Sequence, residues 1–260
     1  MEEDQNIELQ CVSVIRDSFA ILDEVSLSIK SGEFACVIGP SGAGKSTLLK
    51  CINRLIEPNA GIILLGGRPV REVPVQILRR GIGYVFQGIG LFPHMTVGEN
   101  IAITPRLRGD RGLDIAERVK YLMNLVELPE SLISRMPREL SGGQRQRVGI
   151  ARALAAGPKI VLMDEPFGAL DPTTRNALGH KYRELHEQLA LTTLMVTHDI
   201  TDALLFSDRI VVVNNSKIVM HGSPADLLHS TDEAIVSLLA APRQNAEKIS
   251  SMFRGGVAHA

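Results

Sequence analysis

The sequence has no apolar run long enough to cross a lipid bilayer. Runs such as Ile160 to Met163 and Ile210 to Val213 are far shorter than the roughly 20 residues that a transmembrane helix needs. The N-terminal residues 1–4 are acidic where a signal peptide would be basic, and no apolar segment of a signal peptide follows. We therefore expect a chain that does not cross a membrane unaided and that lies in the cytoplasm.

The chain also lacks an excess of charge and a cysteine framework. It has 28 basic and 29 acidic residues, a formal net charge of -1, which gives no reason to expect nucleic acid as the main partner. The three cysteines, Cys11, Cys36 and Cys51, are an odd number at wide spacing. We therefore expect neither disulfides nor a metal site, but small apolar side chains, two of them in core segments.

Short runs that read as strands alternate with segments of helical periodicity. Phe34 to Ile38 is continuously apolar and precedes a glycine-rich turn, the pattern of a strand covered on both faces. A helix is predicted to begin near Lys45, with Leu48, Leu49, Ile52 and Leu55 on one side. The stretch 88–157 reads as mostly helical and ends at Gly157-Pro158.

Strand signals return after this helical stretch. The further predicted elements are a strand at Ile160 to Met163, a helix that begins at Asp171-Pro172, a strand at Thr193 to Val196, and a hairpin of Arg209 to Val213 and Ser216 to Met220 joined at Asn214-Asn215. Strands that alternate with helices predict an α/β fold. We expect a mostly parallel sheet, antiparallel strands at the ends, and an inserted helical segment.

A glycine-rich segment between the first buried strand and the helix after it matches G-x-x-x-x-G-K-[ST]. Its residues are Gly39, Pro40, Ser41, Gly42, Ala43, Gly44, Lys45 and Ser46, with Thr47 next. In this context the pattern predicts a phosphate-binding loop, because glycines leave backbone N–H groups free to point at phosphates at a helix N-terminus. We expect Lys45 to contact the β- and γ-phosphates and the Ser46 hydroxyl to bind Mg²⁺.

A pair of carboxylates, Asp164-Glu165, ends the apolar run at residues 160–163. The carboxyl ends of strands are where open α/β sheets bind ligands. Beside a phosphate-binding loop, Asp164 is expected to hold the hydration shell of Mg²⁺. Glu165 is expected to accept a proton from the attacking water.

The segment Leu140-Ser141-Gly142-Gly143-Gln144 opens a predicted helix that runs to about Ala156. Ser141 is a plausible N-cap, and the two glycines leave the first backbone N–H groups uncovered. The sequence thus predicts a second anion site at a helix N-terminus.

The order of these motifs resembles the ATP-binding cassette (ABC) family over about residues 7–225. Three more segments match: Tyr84-Val85-Phe86-Gln87 at the family's Q-loop, Ala169-Leu170-Asp171 at its D-loop, and Thr197-His198-Asp199 at its switch histidine. The resemblance implies a P-loop NTPase core, an antiparallel β subdomain and an inserted α-helical subdomain. It assigns 1–240 to the ATPase domain, about 88–157 to the helical subdomain, and 241–260 to a tail that we expect to be flexible.

The resemblance also implies a mechanism for cleavage of ATP with Mg²⁺. Two cassettes, a homodimer or another pair, would close head-to-tail. Ser141, Gly142, Gly143 and Gln144 would then act on the nucleotide held by the partner's P-loop, with Asp171 at the same interface. His198 would contact the γ-phosphate. Gln87 would sense the metal and the attacking water.

The adenine contact is where the sequence departs from the family. The family stacks the base on an aromatic residue upstream of the P-loop, and ungapped alignment puts Arg16 near that place. Arg16 could stack through its guanidinium plane, or Phe19 could take the role. Both alternatives remain open at this point.

Residues 166–171 resemble the importer form of the D-loop region. Within importers, residues 53–58 and 88–97 resemble the subunits that energise uptake of quaternary-amine osmoprotectants such as glycine betaine, choline or carnitine. This resemblance implies separate integral membrane permease subunits, an extracytoplasmic substrate-binding protein, and a peripheral position on the cytoplasmic face of the cell membrane.

Other readings of the same segments stay open. The ATPase could serve uptake of another small solute, or a soluble ABC ATPase could act on a protein or nucleic-acid complex. The apolar segment Ile89 to Val97 favours the transport reading, as a socket for a membrane partner. Alternatively, it is a loop that packs against its own domain.

Overall fold

A computed structural model describes residues 5–88, 90–110, 112–168, 170–240 and 244. The expected flexible tail at 241–260 lies outside the described residues apart from Gln244. Ile89, in the predicted socket, and Ala169, in the D-loop, lie outside them as well. Within the described residues, no helix has both the length and the apolar character needed to span a membrane.

The described residues include ten strands and eight α-helices with defined bounds, and residues 233–240 are helical as well. The strands are β1 (Ile7–Arg16), β2 (Phe19–Ile29), β3 (Phe34–Ile38), β4 (Ala60–Leu65), β5 (Arg68–Pro69), β6 (Ile82–Val85), β7 (Ile160–Asp164), β8 (Thr192–Val196), β9 (Arg209–Asn214) and β10 (Lys217–Gly222). The helices are α1 (Lys45–Ile52), α2 (Val75–Gly81), α3 (Val97–Arg108), α4 (Gly112–Leu125), α5 (Gly142–Leu154), α6 (Pro172–Leu189), α7 (Ile200–Phe206) and α8 (Pro224–Leu228).

The larger sheet has six strands in the order β10-β9-β3-β8-β7-β6. The pairs β9–β3, β3–β8, β8–β7 and β7–β6 are parallel, and only the terminal hairpin β9–β10 is antiparallel. Every residue of β3, β7 and β8 is buried, as expected for parallel strands covered on both faces. The predicted α/β class, with a mostly parallel sheet and antiparallel strands at the ends, is confirmed.

A smaller antiparallel sheet has the order β2-β1-β4-β5. Alternate residues of β3 separate the two hydrophobic cores. Ala35 and Val37 pack toward the antiparallel sheet and α1, whereas Phe34, Cys36 and Ile38 pack toward the helices of the other face. This division follows from the two-residue period of a strand, and it places β3 at the centre of the molecule.

Helices α3, α4 and α5 lie between β6 and β7 along the chain, which is the predicted helical insertion. Thr96 caps α3 in a capping box with Glu99. Apolar residues recur through the insertion and join the core on the helical face of the sheet, for example Ile101, Leu122 and Val148. The boundaries 88–157 and 1–240 remain predictions.

Two local predictions were wrong. Helix α1 ends at Ile52, so Leu55 does not extend its apolar face and is exposed; Arg54 takes a left-handed backbone with φ 49°, which ends the helix. The turn of the β9–β10 hairpin lies one residue later than predicted. Asn215 and Ser216, with φ of 47° and 66°, form it, as a twisted two-residue hairpin turn requires.

The cysteines are placed as expected. Cys36 in β3 and Cys51 in α1 are buried, Cys11 is exposed, and all three are free. Burial raises the pKa of the Cys51 thiol to about 11. The two buried thiols therefore act as small apolar side chains.

Candidate functional site

The loop predicted to bind phosphate lies between β3 and α1. Gly44 is the N-cap of α1 and takes a left-handed backbone with φ 97°, and no side chain caps the helix. The first N–H groups of α1 are therefore free of a side-chain acceptor. This is the arrangement that binds an anion at the positive end of a helix dipole.

Gly44 also packs closely against strand β2 of the antiparallel sheet. A Cβ at position 44 would lie 2.3 Å from the carbonyl oxygen of Ile21 and 2.8 Å from Leu22 Cδ2. Both the backbone angle and this contact exclude a larger residue. The contact with β2 thus fixes the position of the loop relative to the antiparallel sheet.

Lys45 is only 7% exposed although it carries a charge. Its Nζ donates to the carbonyl oxygens of Gly39 (2.8 Å) and Pro40 (2.9 Å), so the side chain curls back over the loop. Burial lowers the pKa of Lys45, and the nearby carboxylates of Glu165 and Asp164 oppose that shift. The ammonium group is a point charge held where an anion on the loop would lie.

Ser46 and Asp164 meet at the carboxyl end of β7. The Ser46 hydroxyl donates to Asp164 Oδ1 at 2.8 Å, and Asp164 is buried. A hydroxyl and a carboxylate are the oxygen ligands that Mg²⁺ prefers, directly or through its waters. The pair therefore fits a magnesium ion bound next to the loop.

Glu165 has an unusual backbone for a residue with a side chain. Its φ is 51°, a left-handed conformation that costs energy and that clusters at functional sites. Its N–H donates to Val196 O at 2.9 Å, which ties it to the end of β8. The strained turn directs the carboxylate away from the strand and toward the segment that follows β8.

The Glu165 carboxylate bonds to the imidazole of His198. The contact joins Oε2 of Glu165 to Nδ1 of His198. The Glu165 side chain is 15% exposed, whereas that of His198 is 60% exposed. One carboxylate oxygen is thus held by the protein, and the imidazole orients it.

A set of charged residues that no sequence motif indicated lies behind His198. Arg175 of α6 forms an ion pair with Asp199 Oδ2, and Asp202 of α7 is buried. Burial, reinforced by Asp199, raises the pKa of Asp202 to about 6. No local sequence pattern predicts this ion pair, because Arg175 and Asp199 lie on different elements, 24 residues apart.

The second predicted anion site lies at the N-terminus of α5. Ser141 Oγ accepts from the Gln144 N–H (3.2 Å), and Gln144 Oε1 accepts from the Ser141 N–H (2.9 Å), so Ser141 is the N-cap as predicted. Gly142 and Gly143 start the helix and line a cavity of about 560 Å³ together with Leu170, Asp171 and Thr174. Leu140 to Gln144, which we call the signature segment, and the D-loop segment therefore share one surface.

Asp171 has a structural role in that surface. It caps α6 by accepting from the Thr174 N–H at 3.0 Å. Hydrogen bonds from Thr174 lower the pKa of the Asp171 carboxyl. The P-loop residues, Glu165 and His198 do not line this cavity, so the two predicted anion sites are separate on this chain.

The remaining predicted residues lie at the periphery. Gln87 is exposed just after β6, the strand beside β7. Arg16 pairs with Phe19 across the β1–β2 hairpin, and the Phe19 side chain is 75% exposed. The choice between Arg16 and Phe19 for the adenine contact therefore stays open.

Comparison with known proteins agrees with this geometry. The family model described as "ABC transporter" matches residues 22–168, more than half of the chain. The chain belongs to the ABC transporter family. It is 47% identical over 215 residues to the choline transport ATP-binding protein OpuBA of Bacillus subtilis, covering 83% of this chain and 56% of that protein.

Two further relatives extend the comparison. The glycine betaine uptake system ATP-binding protein YehX of Escherichia coli is 46% identical over 222 residues, covering 85% of this chain and 72% of that protein. The dimeric structure of a post-hydrolysis state of the ATP-binding cassette MJ0796, bound to ADP and Pi, superposes with a TM-score of 0.77 at 33% identity. That match covers 84% of this chain and 98% of the MJ0796 chain, whereas the chain spans just over half the length of OpuBA.

Replacing Gly44 tests the close approach of the loop to β2. Gly44→Ala should lower the free energy of unfolding in urea, because it adds the strain of a left-handed alanine, about 1–2 kcal/mol, and an overpacking cost of about 1–3 kcal/mol. Gly42→Ala is the matched control. Its φ is also left-handed, at 82°, but a Cβ there meets nothing within 4 Å. Equal destabilisation by the two substitutions would contradict the role assigned to the Ile21 contact.

Proposed function

We propose that the chain binds ATP and hydrolyses it as one member of a closing pair of cassettes. The observation that carries this proposal is the convergence of Lys45, Ser46, Asp164 and Glu165 at the carboxyl edge of the parallel sheet. The homology to ATP-binding proteins supports the same activity. Phosphoryl transfer depends mainly on positioning and charge stabilisation, and these residues can supply both.

ATP is the substrate, and the residues that would hold it are those of the loop at Gly39 to Thr47. The free N–H groups and Lys45 suit the phosphates, and Ser46 and Asp164 suit Mg²⁺. When bound, the magnesium ion neutralises charge that develops on the phosphate oxygens. The protein's own contribution is to fix Lys45, Ser46 and Asp164 before the substrate arrives.

Glu165 is proposed as the general base, and His198 as the group that orients it and contacts the γ-phosphate. The Glu165 carboxylate is largely shielded from solvent and has one oxygen bound to the imidazole, which leaves the other oxygen to accept a proton from water. Gln87, at the end of the neighbouring strand, is proposed to sense the metal and the attacking water.

The second half of the site is proposed to act on the nucleotide of a partner. Ser141 caps α5 while Gly142 and Gly143 leave its first N–H groups uncovered, so the helix end can stabilise a phosphate that the partner's P-loop presents. Gln144 and Asp171 lie on the same surface. The dimeric state of the similar MJ0796 cassette supports a head-to-tail pair, formed by two copies or by two different cassettes.

The physiological role that we propose is to power an importer. The chain would sit on the cytoplasmic face of the cell membrane, bound to permease subunits, in a system that includes an extracytoplasmic substrate-binding protein. The relatives named for choline transport and glycine betaine uptake favour a quaternary-amine osmoprotectant as the solute. The nearly balanced charge gives no support for nucleic acid as a partner.

Lys45→Ala should weaken nucleotide binding. Charge-assisted hydrogen bonds are worth about 1.5–3 kcal/mol, so the Kd of a fluorescent ATP analogue should rise roughly tenfold or more. Lys50→Ala is the control, because it removes a lysine from the last turn of the same helix, away from the loop. Unchanged affinity in Lys45→Ala would show that the loop does not hold phosphates as proposed.

Glu165→Gln should separate binding from turnover. The amide keeps the shape of the side chain but cannot accept the proton, so kcat should fall about 10²- to 10⁴-fold while nucleotide affinity is retained. With ATP and Mg²⁺, the variant should accumulate as a dimer, measured by size-exclusion chromatography. Glu184→Gln, on the exposed side of α6, should behave as wild type. Wild-type turnover in Glu165→Gln would refute the proposed base.

The importer role is tested by uptake in the host cell. Deletion of the gene should abolish uptake of labelled glycine betaine or choline. The wild-type chain should restore uptake, and Glu165→Gln should not, because transport needs hydrolysis. Integral membrane proteins should co-purify with the tagged chain.

Two results would change this proposal in different ways. Consistent recovery of ribosomes or DNA-bound complexes without membrane proteins would support a soluble ATPase instead. Loss of uptake of a different solute, with quaternary amines unaffected, would keep the importer and change its cargo.

A further inference from the structure

We infer that Arg175 is a positioning residue for hydrolysis: through Asp199 it holds the segment that carries His198, and through Leu170 it ties that segment to the loop before α6. The inference rests on the proposed function, because it assumes that His198 and Glu165 act in turnover. Among the described residues, Arg175 itself forms no hydrogen bond or ion pair with either of them. Its effect is on where the imidazole lies.

Asp199, the residue that follows His198, is anchored by an ion pair and by hydrogen bonds. Asp199 Oδ2 receives the ion pair from Arg175, and Asp199 Oδ1 accepts from the Thr201 N–H at 2.9 Å. The Asp199 N–H in turn donates to Thr197 Oγ1 at 3.1 Å. Both carboxylate oxygens and the backbone of Asp199 are therefore engaged, and His198 lies between two fixed residues.

The guanidinium of Arg175 also contacts the loop before α6. Nη2 of Arg175 donates to the carbonyl oxygen of Leu170 at 3.5 Å. Leu170 and Thr174, the residue before Arg175, both line the cavity of the signature segment. One side chain thus connects the surface proposed to face the partner with the segment proposed to act on the chain's own nucleotide.

Helices α6 and α7 pack closely beside the ion pair. Arg175 and Gly179 are one helical turn apart and so lie on the same side of α6. A Cβ at Gly179 would come within 2.3 Å of the Phe206 ring of α7. The two helices therefore touch closely just beyond the ion pair, which fixes the separation that Arg175 must bridge.

The ion pair between Arg175 and Asp199 is partly shielded from solvent. The side chains of Arg175 and Asp199 are only 23% and 28% exposed, so solvent screens their attraction less than it would on the surface. The Nε–H of Arg175 is buried with no acceptor among the described residues. The guanidinium therefore acts through its two Nη atoms, one on Asp199 and one on the Leu170 carbonyl oxygen.

Loss of Arg175 should therefore change the chemical step and leave binding intact. Without the ion pair the His198 segment can occupy several positions, and misplacement of a catalytic group by about 1 Å can cost about 100-fold in rate. Lys45, Ser46 and Asp164 keep their contacts. We expect kcat for ATP to fall about 10- to 100-fold in Arg175→Ala, with KM within about twofold and the nucleotide Kd unchanged.

The experiment compares four variants of the full chain: Arg175→Ala, Arg175→Lys, Asp199→Asn and the double variant Arg175→Ala/Asp199→Asn. Lysine retains the charge and should recover part of kcat. Asparagine still caps α7 but lacks the charge, so Asp199→Asn should reproduce the kcat defect without unfolding the segment. Because both substitutions break one interaction, the double variant should be no slower than the slower single variant.

Lys181→Ala is the control, because it removes an exposed ion pair with Glu184 on the same helix. It should match wild type in kcat and in the urea midpoint of unfolding. Turnover within about twofold of wild type in Arg175→Ala, or multiplicative defects in the double variant, would overturn the inference. If Arg175→Ala does not fold, Asp199→Asn decides, and wild-type kcat there overturns it equally.

The proposed ATPase activity and the role of Arg175 are contradicted by different results. If Glu165→Gln turns over ATP like wild type, the proposed function itself is wrong. If Glu165→Gln is inactive while Arg175→Ala and Asp199→Asn are fully active, the ATPase proposal stands and only the role of Arg175 is lost.

Discussion

The parallel pairing of β3, β8 and β7 is the constraint on which the rest of the site depends. Because the three strands run in the same direction and share a register, their carboxyl ends meet at one edge of the sheet. The ladder continues one residue past the strands. Thr197 donates to Val37 O, and Glu165 donates to Val196 O. The phosphate-binding loop, the carboxylate pair and the switch histidine are brought together by this backbone hydrogen bonding.

Charged side chains are buried at the carboxyl edge of the sheet, where the loss of hydration costs free energy. Lys45 and Asp164 are both nearly excluded from solvent, and an isolated buried charge would neutralise or unfold the site. The carboxylates oppose the lowering of the Lys45 pKa by burial, and the Ser46 hydroxyl satisfies Asp164. The charges are therefore compensated locally and held in place before any ligand binds, which is the condition for electrostatic stabilisation of a transition state.

Features set by local sequence could be predicted. The loop at Gly39 to Ser46, the N-cap Ser141 and the helix that begins after Asp171 each depend on a few adjacent residues. Features set by distant contacts could not. The left-handed Gly44 meets β2, and Arg175 meets Asp199, only after the chain has folded. The error at Leu55 was the reverse. Its apolar side chain fits the helical period of α1, but the backbone ends that helix at Ile52.

The cavity beside Gly142 and Gly143 and the segment that carries His198 are joined inside the chain by the first turn of α6. Asp171 caps that helix beside the signature glycines, and the next residues along the turn include Thr174 in the shared cavity and Arg175 at the ion pair. In a head-to-tail pair, each cavity would face the partner's nucleotide, while each ion pair would lie beside the chain's own histidine. A displacement of the turn on closure would therefore reach both sites together, because a helix turn moves as a unit. The closing pair would in this way sense its two nucleotides through one short, rigid element in each chain.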